Sequence, residues 1–372
     1  NKLAPIIIKI LFNTRKSLQI YIYDFYNFIY KKDNYSVFLL YILLICRSRF
    51  KNIIFKLFTL IKNYLYAQLV EVKNNSSILH IEKNIYKASQ RLNTKNLQWF
   101  IGFTDGDGCF SVYKEKKYQN NWRHEFSIGL QIKDIRLLYK IKNLLGCGTV
   151  KKYNNVAVFR IKKLKHLVYQ IIPLFDKFPL LTEKKRIVYL NFRNTLLNKF
   201  INSKIATNED INFVKNLLNN NDINILYNTP IEKFLNNIDS NYFDNWLVGF
   251  TEAEGSFYFI KNKNLKDNIS QIPLKAEFRL SQNNNVILLT KIKEKLKLTR
   301  NVNLQTNSSN HYYIVASSID TIQNTIYFYT NPSIVKFKGI KYLKFILWLK
   351  GIKNINRYKN IKIPNNYGGD SS

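Results

Sequence analysis

Apolar and polar positions along this chain change period in a fixed order, and the order occurs twice. Gln98–Asp107 is apolar on nearly every side, which predicts a helix buried against another element rather than lying on a surface. Gly108 ends it, and strand-like Cys109–Tyr113 follows. The polar, Lys-rich Lys114–Arg123 reads as a long hairpin loop and Glu125–Ile132 as the returning strand. Asp134 opens a helix with apolar residues at 135, 137, 138, 141, 144 and 145, stopped by Gly146 and Gly148. A second hairpin over Thr149–Ile161 turns at Asn154-Asn155; a helix over Leu164–Ile172 is stopped or kinked by Pro173; a longer helix runs from Pro179 to about Phe200. The second passage gives strands Ser256–Ile260 and Leu274–Ser281 around loop 261–271, helix Val286–Leu296, hairpin 301–316, helix Ile319–Tyr329, then Pro332 and a closing helix. The fold class expected is therefore α+β: two pseudo-symmetric αββαββα half-domains, 96–200 and 242–358, each with an antiparallel sheet. Asn-rich 201–241 reads as a partly helical linker, and 359–372 as a disordered tail.

Residues 1–95 form an N-terminal extension of unassigned role. Its two apolar runs, Leu3–Phe12 (broken by Lys9) and Val37–Cys46, are each about half of the ~20 residues a membrane span takes. Buried or interfacial helices are expected there, with membrane association the lesser alternative.

The two passages are tied by a literal repeat. Trp99-Phe-Ile-Gly-Phe-Thr-Asp-Gly-Asp-Gly-Cys-Phe110 returns as Trp246-Leu-Val-Gly-Phe-Thr-Glu-Ala-Glu-Gly-Ser-Phe257, with every matched position 147 residues on. A single such stretch reads as a buried helix with acids exposed at its end; two in register read as two half-domains, each giving a carboxylate to one shared place. Gly102 and Gly249, with Gly106 and Ala253 one turn on, remove side chains where two helices would cross closely. Acids at i and i+2 of a helix point about 200° apart, so only one of each pair can face a shared site. A calcium-loop reading from Asp105 fails, because Phe110 and Lys116 stand where Gly and Glu are needed, and no Lys-Ser/Thr ending supports a phosphate-binding loop.

Composition narrows the partner. With 58 Lys and Arg against 24 Asp and Glu, the formal net charge is +34 in 372 residues, a field that attracts nucleic acid first and an anionic membrane surface second. The charge is spread through aromatic-rich segments with the apolar patterning of folded chain, which favours a folded nucleic-acid surface over a basic arm. Cys46, Cys109 and Cys147 give neither a disulfide framework nor a zinc spacing. Lacking Met and beginning with Asn, the chain reads as a fragment or processed product, and its Asn, Ile, Lys, Tyr and Phe usage is what A/T-rich codons encode. An organelle-encoded, mitochondrial-matrix protein is expected.

The two motifs, with the αββαββα order around them, resemble the paired signature of LAGLIDADG homing endonucleases and their intron-maturase relatives in the single-chain, two-motif form, over about 98–355. The resemblance implies divalent-metal-dependent double-strand cleavage of DNA at a long site. The family's functional acid is the one before the last Gly, which carries over to Asp107 and Glu254 and leaves Asp105 and Glu252 peripheral or structural. Two carboxylates at the negative ends of neighbouring helices repel each other, and a divalent cation reverses that sign. Mg²⁺ (or Mn²⁺) with Asp107, Glu254 and the carbonyls of Gly106 and Ala253 is the expected shell. Family strand-end amides that position water match Gln131 and Gln282; a family Lys near the phosphate matches Lys184 after Pro179, and Lys336 after Pro332, with Lys338 beside it.

Strands after each motif alternate apolar residues with Lys114, Arg123, Arg160, Lys261, Lys263, Arg279, Arg300, Asn303 and Gln305. One face of such a sheet can pack on helices while the other forms a saddle in the major groove, Arg and Lys favouring guanine and Asn and Gln adenine. The expected partner is double-stranded DNA bound by a monomer. The alternatives are a maturase assisting its own group I intron RNA, alone or in addition to cleavage, and a non-catalytic nucleic-acid-binding protein.

Overall fold

The computed structural model describes residues 94–115, 118–204, 206–261, 273–306 and 308–367. The expectations for 1–93, for Lys263 and most of loop 261–271, and for 368–372 lie outside the described residues. Helix α1 (94–107) leads into β1 (Gly108–Glu115), β2 (Tyr118–Gln131), α2 (Ile135–Leu145), β3 (Thr149–Tyr153) and β4 (Val156–Ile161). The next helix, α3, begins as Leu164–His166, widens into a π-turn at Leu167–Ile171 and finishes as Ile172–Lys177. Pro173 has no N–H and crowds the carbonyl four residues back, and the wide turn absorbs that conflict where a stop or kink was expected. Helix α4 (Glu183–Ile201) closes the first half. The second half repeats the order: α8 (Ser240–Glu254), β5 (Gly255–Lys261), β6 (Pro273–Asn283), α9 (Val286–Lys295), β7 (Asn303–Leu304), β8 (His311–Ala316), α10 (Ile319–Thr330) and α11 (Ile340–Lys353).

Each sheet is antiparallel, in the orders β1-β2-β4-β3 and β5-β6-β8-β7. One face of each is apolar and covered by helices: Phe110, Phe126 and Phe159 in the first, Phe278, Leu280 and Ile314 in the second. The last Phe of each repeated motif heads an aromatic cluster, Phe110 against Phe126, Phe175, Tyr189 and Phe192, and Phe257 against Phe278, Tyr329, Phe345 and Trp348. The turn expected at Asn154-Asn155 is there, with Asn154 at φ 44°, a conformation Asn tolerates.

Three expectations are corrected. The loop expected at Lys114–Arg123 is mostly strand, since β1 continues to Glu115 and β2 starts at Tyr118; Tyr113, Lys114, Trp122 and Arg123 are all exposed, and a strand pair without a buried face loses the apolar alternation by which strands are read. The linker is three helices, α5 (Asn208–Leu218), α6 (Asn221–Asn228) and α7 (Ile231–Asn236), docked on the first half. Two buried arginines of α4 hold it: Arg186 donates to the carbonyls of Leu226 and Thr229, and Arg193, paired with Asp176 at 3.0 Å, donates to that of Leu217. The tail expected to be disordered follows a packed path as far as Tyr367, which is 3% exposed and meets the Phe345 ring. No helix among the described residues is long and apolar enough to cross a membrane.

Buried His124 faces the helices from β2, with Nε2 3.0 Å from Thr195 Oγ1 and Nδ1 without a partner. Burial first, and the Lys199 ammonium second, push its pKa down from 6.5 to about 4. Between these values the unfolded chain binds the proton and the fold does not, so stability is complete above about pH 6.5 and falls as pH drops toward 4. Melting temperature should therefore decline less steeply from pH 7 to pH 4.5 in His124→Gln than in the unmodified protein; parallel declines would remove His124 as the cause.

Candidate active site

The functional side chains are set by how α1 and α8 cross. A Cβ built on Gly102 would lie 1.8 Å from the Trp246 carbonyl oxygen, and one on Gly249 would lie 1.8 Å from that of Trp99. One turn on, a Cβ on Gly106 would lie 2.3 Å from that of Ala253 and 3.4 Å from Glu254 Oε1. The backbones meet because the small residues let them, and the meeting brings both helix C-termini, with Asp107 and Glu254, to one place.

The first acid of each motif locks this arrangement. Asp105, fully buried, accepts from the backbone N–H of Leu181 (2.7 Å) and Thr182 (3.1 Å), the Thr182 hydroxyl (2.7 Å) and, across the interface, Trp246 Nε1 (2.8 Å). Glu252 mirrors it, accepting from the N–H of Lys338 (2.8 Å) and Gly339 (2.5 Å) and from Trp99 Nε1 (2.9 Å). Burial raises both pKa values, that of Glu252 to about 7, and these donors oppose the rise. Asp105 and Glu252 thus fasten each motif helix to the start of its own half's last helix and to the other half's Trp. A second reciprocal pair works further out: Asp134 accepts from Ile340 N–H (3.0 Å) at the start of α11, and Asn285 from Glu183 N–H (3.2 Å) at the start of α4.

Asp107 and Glu254 are half-buried, and Asp107 is close enough to disturb Glu254. Burial raises the pKa of both; Lys185 and Lys341 lower both, and Asp107 raises that of Glu254 further. Lys185 Nζ reaches the carbonyls of Thr104 (3.0 Å), Gly106 (3.3 Å) and Gly108, and Lys341 Nζ reaches that of Gly255. Burial depresses both ammonium pKa values, against the pull of Asp107 and Glu254. The lysines at this site are therefore Lys185 and Lys341, in place of Lys184 and Lys336. Lys184 is exposed on the outer side of α4, and Lys336 lies exposed with Nζ 5.0 Å from the Tyr367 ring centre. Lys338 is tied to Asn96 Oδ1 at 2.6 Å, over the Trp99 ring.

Strand parity separates the two amides. Gly108 pairs with Ile128 and Gly255 with Leu280, so Gln282 corresponds to Leu130, not to Gln131. Gln282 hydrogen-bonds Glu254 and helps lower its pKa. Gln131 is exposed on the opposite face of its sheet.

Among the described residues no group of three or more His, Cys, Asp and Glu side chains is placed to hold a metal ion. Two converging carboxylates whose pKa values are raised by burial and repulsion, beside backbone carbonyls and open to water, nevertheless fit a hard cation that keeps several waters. The Gly106 carbonyl expected in that shell also faces Lys185.

The open faces of the sheets carry Arg123, Arg160, Arg279 and Asn303. Arg279 stacks 3.8 Å from the Tyr313 ring centre and donates to Gln305 Oε1. Arg300 sits with Lys275 and Arg357 around a depression at the sheet's outer end. Lys114 is corrected: it shares register with Phe110 and Val112 on the helix side, its ammonium 5.1 Å from the Trp122 ring. Lys261 ends β5 at a register shift.

The family pattern described as LAGLIDADG endonuclease matches residues 100–196 and 247–350. Probable intron-encoded endonuclease Cox1-I1b of Schizosaccharomyces pombe is 32% identical over 291 residues, 74% of this chain and 68% of that protein. The uncharacterized mitochondrial protein RF1 of Saccharomyces cerevisiae is 30% identical over 202 residues, 53% of this chain and 40% of its own length. Among solved structures, I-SmaMI bound to uncleaved DNA target in the presence of calcium ions superposes with a TM-score of 0.52 at 26% identity, covering 71% of this chain and 92% of that one. I-GzeII, described as a LAGLIDADG homing endonuclease in complex with its DNA target, gives 0.52 at 26%, covering 73% and 94%.

Proposed function

Since the chain belongs to the LAGLIDADG endonuclease family, we propose that it is a site-specific homing endonuclease that makes metal-dependent double-strand breaks in DNA. The observation that carries this reading is the convergence of Asp107 and Glu254 where α1 and α8 end, each beside a half-buried lysine, Lys185 or Lys341. The cation that Asp107 and Glu254 would hold, Mg²⁺ or Mn²⁺, supplies activation of water and offsets charge on the phosphate and the leaving 3′ oxygen. Lys185 and Lys341 present their ammonium groups to the same place, where charge added to a phosphate in the transition state meets a fixed positive partner. Gln282 orients Glu254 and, in the second half, a water beside it; Leu130 leaves the first half without that amide. Asp105 and Glu252 keep the two carboxylates in register.

Double-stranded DNA lies along the two open sheet faces of a single chain, and the setting is mitochondrial, as the intron-encoded relatives suggest. A maturase reading leaves the carboxylate pair and its lysines without a task. The deciding experiment offers the intron-free form of the host gene to the protein with Mg²⁺, with Mn²⁺ and with EDTA. One double-strand cut with either metal and none in EDTA is expected; no cut with either metal, or a cut indifferent to EDTA, overturns the reading. In the same assay Lys185→Met should slow cleavage by roughly a hundredfold, in the range of a lost charge-stabilising donor, and Lys184→Met by less than twofold; equal effects would refute the assignment of Lys185.

A further inference from the structure

The open sheet faces are basic, yet among the described side chains each carries one acid at the same place. Glu125 on β2 lies opposite Ser111, and Glu277 on β6 lies opposite Tyr258. Both stand three residues outward from the partner of the glycine that opens their hairpin, Ile128 for Gly108 and Leu280 for Gly255, so about 10 Å from the motif level. They are 9% and 7% exposed, in the middle of a surface otherwise suited to phosphates.

Each acid is wired to cations. Glu125 forms ion pairs with Arg160, whose Nε lies 3.1 Å away without making a hydrogen bond, and with Lys162 Nζ at 2.9 Å. Arg160 donates through Nη1 to the Tyr153 hydroxyl at 2.7 Å. Glu277 pairs with Lys275 at 3.0 Å and accepts from the Tyr258 hydroxyl at 2.7 Å. Burial first, then this bond to Glu277, pushes the Tyr258 pKa up to about 12, so the hydroxyl stays a donor. The cations are 31%, 57% and 24% exposed, so the pairs contribute little to stability. An acid on a DNA-facing floor also weakens attraction for phosphate. Neither stability nor affinity accounts for two such acids in register.

We propose that Glu125 and Glu277 are positioning residues for sequence readout. Each holds its cations against the floor of the sheet, where they meet base edges, and keeps them from swinging to the phosphates; Arg160, held by its ion pair with Glu125 and by the Tyr153 hydroxyl, offers guanidinium N–H groups to a guanine edge. The acids exchange affinity for any duplex against discrimination between duplexes. This rests on the endonuclease reading above, because it needs a preferred duplex.

The test measures binding of the unmodified protein, Glu125→Gln and Glu277→Gln to the cleaved duplex and to an unrelated duplex, in EDTA, over a salt series. Each variant should bind the unrelated duplex more tightly and lose roughly tenfold of its preference for the target. Its salt dependence on unrelated DNA should steepen by about one phosphate. Arg160→Gln and Lys275→Gln, which leave the acids in place, should lose preference without gaining unrelated affinity, and the Glu277→Gln/Lys275→Gln double variant should lose less than the two singles together. Unchanged preference and salt slope in the acid variants, with only a lowered melting temperature, would overturn the proposal; if the acid variants do not fold, unchanged preference in Arg160→Gln and Lys275→Gln overturns it. An unmodified protein that prefers no duplex overturns the endonuclease reading and this inference together, whereas a preference that survives the substitutions overturns this inference alone.

Discussion

Asp107→Asn/Glu254→Gln should abolish cleavage, by three orders of magnitude or more, while leaving the protein folded and bound to its target. The size follows from the several kcal/mol that a metal ion supplies to a phosphoryl transition state, each ~1.4 kcal/mol being tenfold in rate. The sign of the stability change is the more informative part. Burial raises the pKa of both carboxyls, Asp107 raises that of Glu254 further and Asp134 that of Asp107, so the fold holds two charges it would rather lose. Replacing them by amides of the same shape removes that repulsion, and the melting temperature in EDTA at pH 7 should stay level or rise. The unmodified protein should gain melting temperature on adding Mg²⁺, because a ligand bound by the folded state stabilises it, and the double variant should not. Cleavage within tenfold of the unmodified rate would refute both carboxylates as the metal's holders; a Mg²⁺-induced gain that persists in the variant would place the ion elsewhere.

Much of this arrangement is legible in the chain because the repeat states it twice. The glycines, the acids and the tryptophans recur at one spacing, and the structure uses each twice in mirrored roles. Legibility ends where the two halves stop being equal in length. Asp107 and Glu254 stand 147 residues apart, Glu125 and Glu277 stand 152 apart, and Lys185 and Lys341 stand 156 apart. Additional residues in the first hairpin and before α11 shift every later correspondence, so counting from Pro179 and Pro332 cannot find the paired lysines. Lys184 fails for a different reason. Asp105 binds the N–H groups of Leu181 and Thr182, and that fixes the phase of α4 so that Lys185, 100° round the helix from Lys184, points at the motif. Gln131 fails by parity, one residue being enough to put a strand's side chain on the other face. Glu125 and Glu277 had a signal of their own: each is the lone acid of its strand, two residues from an arginine, and the pattern is repeated in the other half.

The asymmetry left after matching the halves falls on one side of the chemistry. The first half has Asp107 and Leu130, and the second has Glu254 and Gln282. The floors differ too: Arg160 is held by Glu125 from a neighbouring strand, whereas Arg279 shares its strand with Glu277 and is held by Tyr313 and Gln305. A duplex read by two such unlike surfaces has no reason to be palindromic, which is what a single chain with diverged halves permits and a symmetric homodimer does not.

Gly249→Ala, the smallest change available at that position, should cost about 3 kcal/mol or more, at the upper end of what overpacking does. The added methyl would sit 1.8 Å from the Trp99 carbonyl oxygen and 2.8 Å from the Phe103 nitrogen, both backbone atoms of α1 that no rotamer change can move. The helices must part, and parting them also stretches the Trp99–Glu252 and Trp246–Asp105 hydrogen bonds that cross the same seam. For a domain of this size the expected fall in melting temperature is roughly 6–12 °C, with cleavage lost even below the melting point because Asp107 and Glu254 no longer converge. Gly102→Ala should behave alike, its methyl falling 1.8 Å from the Trp246 carbonyl oxygen. Gly129→Ala is the control: its methyl would meet only Val158 Cγ2 at 4.0 Å, and a strand residue with a side chain is stiffer than glycine when unfolded, so stability should hold or improve. Equal melting temperatures for Gly249→Ala and Gly129→Ala would mean that α1 and α8 do not meet at these glycines, and the convergence of the two carboxylates would lose its cause.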